Sequence, residues 1–559
     1  MAVKRDRKGH NRSRMRAVSF VCSALAVSAA ALALLRAMPL PGLVTTDILT
    51  ANGDNYRTNS NLHETQLTLG NVQPGSFGKL GSYSADGQVY TQPLYASNLL
   101  FPSGSKHNVL FVTTMHNTVY AYDADIPSDD GLLWSVNLGP ALPTTFWNAP
   151  YSDITPEAGI LGTGAIDLQR GVLYVVAETL ENNAAVFRLH ALDLVSGGER
   201  MNGPIVIQAV AAGSGAQSSG GQISFDPAQH LQRPGLLVAN DAVYIAFGSH
   251  MDQIPWHGWI ISYSASDLTA QLGAFVTTPN GQGGAIWQSG RGLAADDAGS
   301  VYSMSGNGDV DNSSNLGESF IRLSGPRAAL ADWFTPANWQ TLDGLDADLS
   351  TGPAVIPGTH TIVGGDKYGQ LYLINGDWMG RLATATFQGA TILGGAVVGG
   401  MFNFALWSQP ETAYIYVQGE QDPVKSYSLT HGIFSAAPVS MGATPVNVPR
   451  VGLTISADGA RNGILWETTG DYSQSSVPGT LHAYDASNLA TELWNSDINS
   501  SRDNLGGFMK FTNPTVIRGK VYVATSSGVA VYGLICPNAT LHGGTPRSGA
   551  SGPCLAGQI

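Results

Sequence analysis

The residues of this chain that could do chemistry collect in two kinds of short segment. One kind is the polar turn after a β-branched strand, carrying His116, Glu178, His250 with Asp252, Asp309, and Asp366 with Lys367. The other precedes a strand led by Gly, Pro or another small residue, carrying Gln92, Glu157, Trp287 with Gln288, and Lys510. If both kinds share one face of a fold, imidazole, carboxylate, amide, ammonium and indole groups surround a single opening. A few polar groups converging on an aromatic wall are the usual material of a ligand site. Loops are also polar because they are solvated, and that alternative stays open.

Two local patterns bear on metals. His250 and His257 bracket Met-Asp-Gln-Ile-Pro-Trp, and two imidazoles fall short of the three or four ligands zinc requires. A loop stiffened by Pro255 and Trp256 is the plainer reading. From Asn307 to Glu318, oxygen side chains recur at Asp309, Asp311, Ser313, Asn315 and Glu318, which is material for calcium. The glutamate comes too early and the central glycine is missing, so a flexible polar turn remains the alternative. No nucleophile elbow and no phosphate-cradling glycine loop is present.

A repeat must position these segments. A short β-branched and aromatic strand recurs eight times, at Val109–Val112, Val172–Val175, Ala242–Ile245, Ser300–Ser303, Thr361–Val363, Ala413–Tyr416, Gly463–Trp466 and Lys520–Val523. Most copies are followed by a polar loop and another strand, as at Thr118–Tyr122 and Thr480–Tyr484. Each is preceded by a segment with a small residue, read as an innermost strand at Thr91–Leu94, Gly162–Ala165, Arg233–Leu236, Gly290–Leu293, Ser350–Pro353, Ser408–Pro410, Gly452–Thr454 and Thr512–Pro514. Small residues let innermost strands crowd around an axis. The repeat therefore predicts an all-β, eight-bladed propeller of four-stranded antiparallel blades over residues 88–534. Residues 38–87 help to close it, and 535–559 form a Gly/Pro-rich tail in which Cys536 and Cys554 could pair or remain thiols.

Asn55-Tyr-Arg-Thr-Asn-Ser-Asn61, with Leu67-Thr68, Asn71-Val72 and Phe77-Gly-Lys-Leu80, resembles the segment that opens quinoprotein alcohol dehydrogenase-like propellers. Val119-Tyr-Ala-Tyr-Asp-Ala-Asp125 with Leu133-Trp134, and Leu481-His-Ala-Tyr-Asp-Ala486 with Leu493-Trp494, resemble that family's blade repeat. More narrowly, the chain resembles secreted bacterial propellers of this type that have no assigned function. The resemblance implies the eight-bladed fold and points to pyrroloquinoline quinone (PQQ) and calcium as cofactors. Against that activity, the chain lacks the adjacent Cys pair those dehydrogenases typically carry and the Cys-x-x-Cys-His of a fused haem. The expectation is a ligand- or protein-binding scaffold using a top-face funnel, with a glycan, peptide or envelope protein as partner. The alternative is a PQQ- and calcium-dependent oxidoreductase acting on alcohols or sugars.

Charge and the N-terminus frame the setting. Residues 1–37 read as a signal peptide or signal anchor, with a basic stretch to Arg16 and an apolar run from Ala17 to Leu35. Beyond them, 20 basic residues face 40 acidic ones, a surface that repels nucleic acid. We therefore expect Sec-type export and a monomer in the periplasm or outside the cell, with any membrane contact through 17–35.

Overall fold

The computed structural model describes residues 47–147, 154–250, 254–384, 389–446, 450–474 and 477–535. Residues 1–37, Asp252, Cys536 and Cys554 lie outside this set. Within it, eight sheets, each built on four antiparallel strands, form an eight-bladed β-propeller.

The innermost strands of blades 1 to 8 are Leu94–Leu100, Ala165–Asp167, Leu237–Ala239, Ala294–Ala295, Ala354–Val355, Phe404–Ser408, Gly452–Asp458 and Thr515–Ile517. In blade 6 this differs from the sequence reading. Ser408-Gln409-Pro410 is the turn that leaves the innermost strand, not its start, because Phe404–Ser408 pairs with Ala413–Val417. A Pro-containing tripeptide after a small residue resembles either end of such a strand.

The second strands are buried on both faces, which explains their unbroken apolar character. In blade 2, Val172, Tyr174 and Val176 pack toward blade 3, while Leu173, Val175 and Ala177 pack toward blade 1. The same division gives one apolar cluster between each pair of neighbouring blades. The ring closes where Phe77–Ser84 pairs with Gly528–Leu534 as the outer strand of blade 8. An N-terminal strand completing a C-terminal sheet ties the chain ends together, so the propeller cannot open at this seam without breaking a ladder.

Residues 48–61 do something the repeat does not announce. They run around the inside of the ring and reach every blade. Ile48 bridges Tyr95 of blade 1 and Thr50 bridges Ala165 of blade 2. The Asn55 side chain donates to the Val238 carbonyl of blade 3. The carbonyls of Asn55, Tyr56, Thr58 and Asn59 accept from Ala295, Val355, Leu406 and Ile455, on blades 4 to 7. Asn61 donates to the Val516 carbonyl of blade 8.

This belt is held by two fully buried arginines. Arg57 donates to the carbonyls of Leu293, Ala51 and Leu236, and Arg291 to those of Arg57, Thr351 and Phe404 and to the Asn403 amide oxygen. Gly292 is required here, because a Cβ at that position would lie 2.5 Å from the Arg57 guanidinium carbon.

Candidate functional site

In each blade the approach to the first strand and the turn after the second strand lie on one face, here the top. On that face three cations arrive just before the innermost strands of blades 3, 7 and 8: Arg233, Arg450 and Lys510. They surround Phe511, which is buried. The Arg233 guanidinium lies 4.4 Å from the Phe511 ring centre, Arg450 5.7 Å and the Lys510 ammonium 5.8 Å. Arg450 also lies over Tyr472 at 4.5 Å and Phe402 at 5.1 Å, and Lys510 over Tyr472 at 4.7 Å. Phe402 and Phe511 are 5.7 Å apart.

Residues from blades 3, 6, 7 and 8 therefore meet at one ring, as is geometrically feasible only near the axis. Phe511 is held at φ 65°, a region a bulky side chain rarely adopts, and the neighbouring approach residues Gln288 and Ser289 are at 47° and 46°. Such strain persists where surrounding structure enforces it and is concentrated at ligand sites. Directly beneath, the Asn403 side chain donates to Val451 and Asn513, joining blades 6, 7 and 8 in the layer that holds Arg291.

Several expected rim residues come together. His116 Nδ1 is 3.0 Å from a Glu157 oxygen at the rim, where the His side chain is half exposed. His250 Nε2 is 3.3 Å from Glu178, and both side chains are buried. Burial pushes the Glu178 carboxyl up, partly offset by His250. Trp147 packs on His250 with ring centres 3.9 Å apart. Around them, Met115, Ile154, Leu161 and Leu231 pack with Tyr90, Trp147 and Trp287, so the segment between blades 1 and 2 covers this side of the face with an apolar layer.

Others hold the fold instead. Gln92 accepts from the Asn52 amide at 2.7 Å, inside the belt. Gln288 is buried, donating to the Arg291 and Gly292 carbonyls and accepting from Met304. Asp366 accepts from Tyr372 and Gln370, and burial raises its pKa. Lys367 pairs with Asp346 at 3.1 Å and with Asp348.

In the stretch expected to suit calcium, Asp309 caps the Gln282 amide, and one Asp311 oxygen accepts from the amides of Ser313, Ser314 and Asn315. The Ser313 hydroxyl also donates to Asp311, and the Asn315 amide oxygen accepts from the Asn280 amide. Glu318 points away from them, accepting from the Leu349 amide. Among the described residues no group of three or more His, Cys, Asp and Glu side chains has metal-holding geometry.

Arg233, Arg450, Phe402, Tyr472 and Phe511 were not singled out by sequence reasoning. A signal existed: in so acidic a chain, Arg233, Arg450 and Lys510 each stand shortly before a small-residue strand start.

The fold is an eight-bladed β-propeller, and solved propellers share it. Its similarity is to the quinohemoprotein alcohol dehydrogenase of Comamonas testosteroni, with TM-score 0.58 and 14% identity over 92% of this chain and 83% of that one. The quinohemoprotein alcohol dehydrogenase ADHIIG of Pseudomonas putida HK5 gives 0.56 and 14% over 92% and 84%. A europium-containing methanol dehydrogenase gives 0.55 and 12% over 87% and 98%. At these identities the likeness is one of fold. No family model and no curated protein sequence matches the chain.

Proposed function

We propose that the protein is an exported binding propeller whose top face takes an anionic ligand carrying a ring, seated near Phe511. The convergence of Arg233, Arg450 and Lys510 on one aromatic group supports this reading. Such a gathering is conspicuous in a chain of net charge −13. Arg233 and Arg450 are half-buried and are the two a ligand would meet, whereas Lys510 is buried and sets the field from below. A guanidinium held over an aromatic face keeps N–H donors at its edge for a carboxylate. Glycans bearing uronic acids and peptides bearing carboxylates have the required chemistry. Sec-type export, a monomeric state and attachment through residues 17–35 belong to the same proposal.

The oxidoreductase alternative has one observation in its favour. PQQ is itself an aromatic polycarboxylate, which suits the cations and rings.

The test is titration of the purified protein with PQQ, an oligoglucuronate and a neutral oligosaccharide of equal length, by calorimetry at two salt concentrations. We expect an anionic ligand to bind, to weaken with salt, and to lose at least about tenfold in affinity in the Arg233→Ala/Arg450→Ala variant, about 1.4 kcal/mol or more. Equal binding of the neutral sugar, unchanged in the variant, overturns the proposal. Dye reduction by an alcohol after loading with PQQ and calcium would favour the oxidoreductase.

A further inference from the structure

A separate group of reactive side chains stands on the face opposite the Phe511 cluster, at the foot of blade 1. The hairpin Phe101-Pro-Ser-Gly-Ser105 joins the first and second strands there. The Ser105 hydroxyl is 2.7 Å from His107 Nε2, and His107 Nδ1 is 2.7 Å from a carboxyl oxygen of Asp123. Asp123 ends the third strand of the blade, and its side chain is 11% exposed. Its other oxygen accepts from the Asp125 amide, and the Phe101 ring meets the His107 ring edge-on at 5.0 Å. These contacts hold the carboxylate and the imidazole in place. A carboxylate only accepts, so Nδ1 carries the imidazole proton and Nε2 accepts from Ser105. The Ser103 hydroxyl, 2.6 Å from Ser105 Oγ, then donates to it. Hydroxyl, imidazole and carboxylate thus stand in the order, tautomer and spacing of a nucleophilic triad. They come from a hairpin and a strand end, so no local motif announces them.

We propose that Ser105, His107 and Asp123 form a serine-type site that hydrolyses esters of short acyl chains. Ser105 Oγ attacks the ester carbonyl carbon while its proton passes to His107 Nε2. The bond to the alcohol oxygen then breaks, and the proton on Nε2 leaves with the alcohol. Water repeats the sequence on the acyl-serine. Its oxygen bonds the carbonyl carbon, its proton passes to Nε2 and on to Ser105 Oγ, and the acid is released. Ester and water are consumed, and acid and alcohol are formed. The Ser105 amide is a donor for the oxyanion, because its contact with the Ser103 hydroxyl is long, at 3.4 Å. Ser105 is exposed, and Leu100 beside the hairpin is 61% exposed. An acyl group therefore arrives from solvent against a small apolar surface, which suits a short chain and not a long one. A comparable row in blade 7, Thr469, His482 and Glu492, places its hydroxyl on a β-branched carbon 3.0 Å from the imidazole. It supplies an internal control.

The full chain is treated with a fluorophosphonate probe and assayed with p-nitrophenyl acetate and p-nitrophenyl palmitate. We expect the label on Ser105, located by peptide mass spectrometry, and turnover of the acetate in preference to the palmitate. Ser105→Ala should abolish labelling, and both it and His107→Gln should lower kcat/KM for the acetate at least about hundredfold. Asp123 is a positioning residue. Asp123→Asn should lower kcat at least about tenfold with KM within about twofold, the mark of a misdirected imidazole and not of a lost binding surface. Thr469→Ala should leave labelling and turnover unchanged. Circular dichroism and thermal unfolding check that each variant is folded, and Ser105→Ala, an exposed change, carries the test if Asp123→Asn is not. No labelling of the parent, a label on another residue, acetate turnover that Ser105→Ala leaves intact, or equal turnover of the palmitate overturns the proposal.

Discussion

Two sets of cations lie near the same axis and are used differently. Arg57 and Arg291 sit inside the belt, buried, with their N–H groups on backbone carbonyls from blades 3 to 6. Burial pulls both guanidinium pKa values down to about 9, so both remain charged at neutral pH. Arg233 and Arg450, at the mouth, are half-buried and lie on aromatic faces. The first pair is consumed by the fold, and removing either takes donors from several carbonyls. The second pair is held by ring faces that any ligand bearing a carboxylate could share. The contrast separates charge enclosed in the belt from charge at the mouth by burial and place, not by residue type.

The contrast is broken most directly by Arg291→Leu. That change takes the Arg291 donors from the carbonyls of Arg57 and Thr351, and leaves the Phe404 carbonyl and the Asn403 oxygen with Asn59 in their place. We expect a loss of about 3–5 kcal/mol in denaturant unfolding, because partners of a buried charge are left unpaired. Arg233→Ala, measured beside it, should cost no more than about 1 kcal/mol. Equal losses would mean that the mouth is as structural as the belt.

How much of this was legible in the sequence follows from where each signal resides. The blades were readable because second strands such as Val172–Val176 are buried on both faces and must be apolar throughout. The belt was not, although Asn55–Asn61 carried the family likeness. Its contacts are mostly backbone pairings, with side-chain donors at Asn55 and Asn61, and no side-chain period marks them. His116 with Glu157 and Glu178 with His250 were recognised as rim residues, yet their pairing depends on loops whose course no local pattern encodes. Arg233 and Arg450 were passed over because a cation beside Pro or before a Gly-led strand reads as a turn. Glu318 was placed with the loop oxygens, since spacing along a loop cannot say that its side chain turns to the Leu349 amide.

A buried group far from the axis tests whether burial itself, and not place in the ring, sets the cost of a charge. Glu467, on the second strand of blade 7, is 1% exposed, and burial lifts its carboxyl to about 7 against the opposing influence of His482. The folded state then holds a proton that the unfolded state has released above the ordinary glutamate value near 4.5. Stability is highest below pH 4.5 on this account and falls as pH rises toward 7, by up to about 3 kcal/mol. Unfolding of Glu467→Gln between pH 4.5 and 7.5 should lack that part of the slope. A variant whose pH dependence parallels the parent's would show that the buried carboxyl is compensated.

The smallest effect is expected where the two His–Glu pairs of the top face are set against each other. Glu178 and His250 are both buried and packed under Trp147, so loss of either leaves a polar group enclosed. His116 and Glu157 meet at a similar distance, but the His side chain is 51% exposed. Water replaces either partner there, and exposed ion pairs contribute between zero and about 1 kcal/mol. His116→Ala should therefore change unfolding stability by less than about 1 kcal/mol, and the difference should shrink further in high salt. If the site near Phe511 is where the ligand sits, the same variant should leave affinity for the anionic ligand within about twofold, because His116 belongs to the blade 1 side of the rim. A tenfold change in affinity with stability intact would instead extend the ligand's footprint across the apolar cover to His116, and the division between mouth and rim would have to be redrawn.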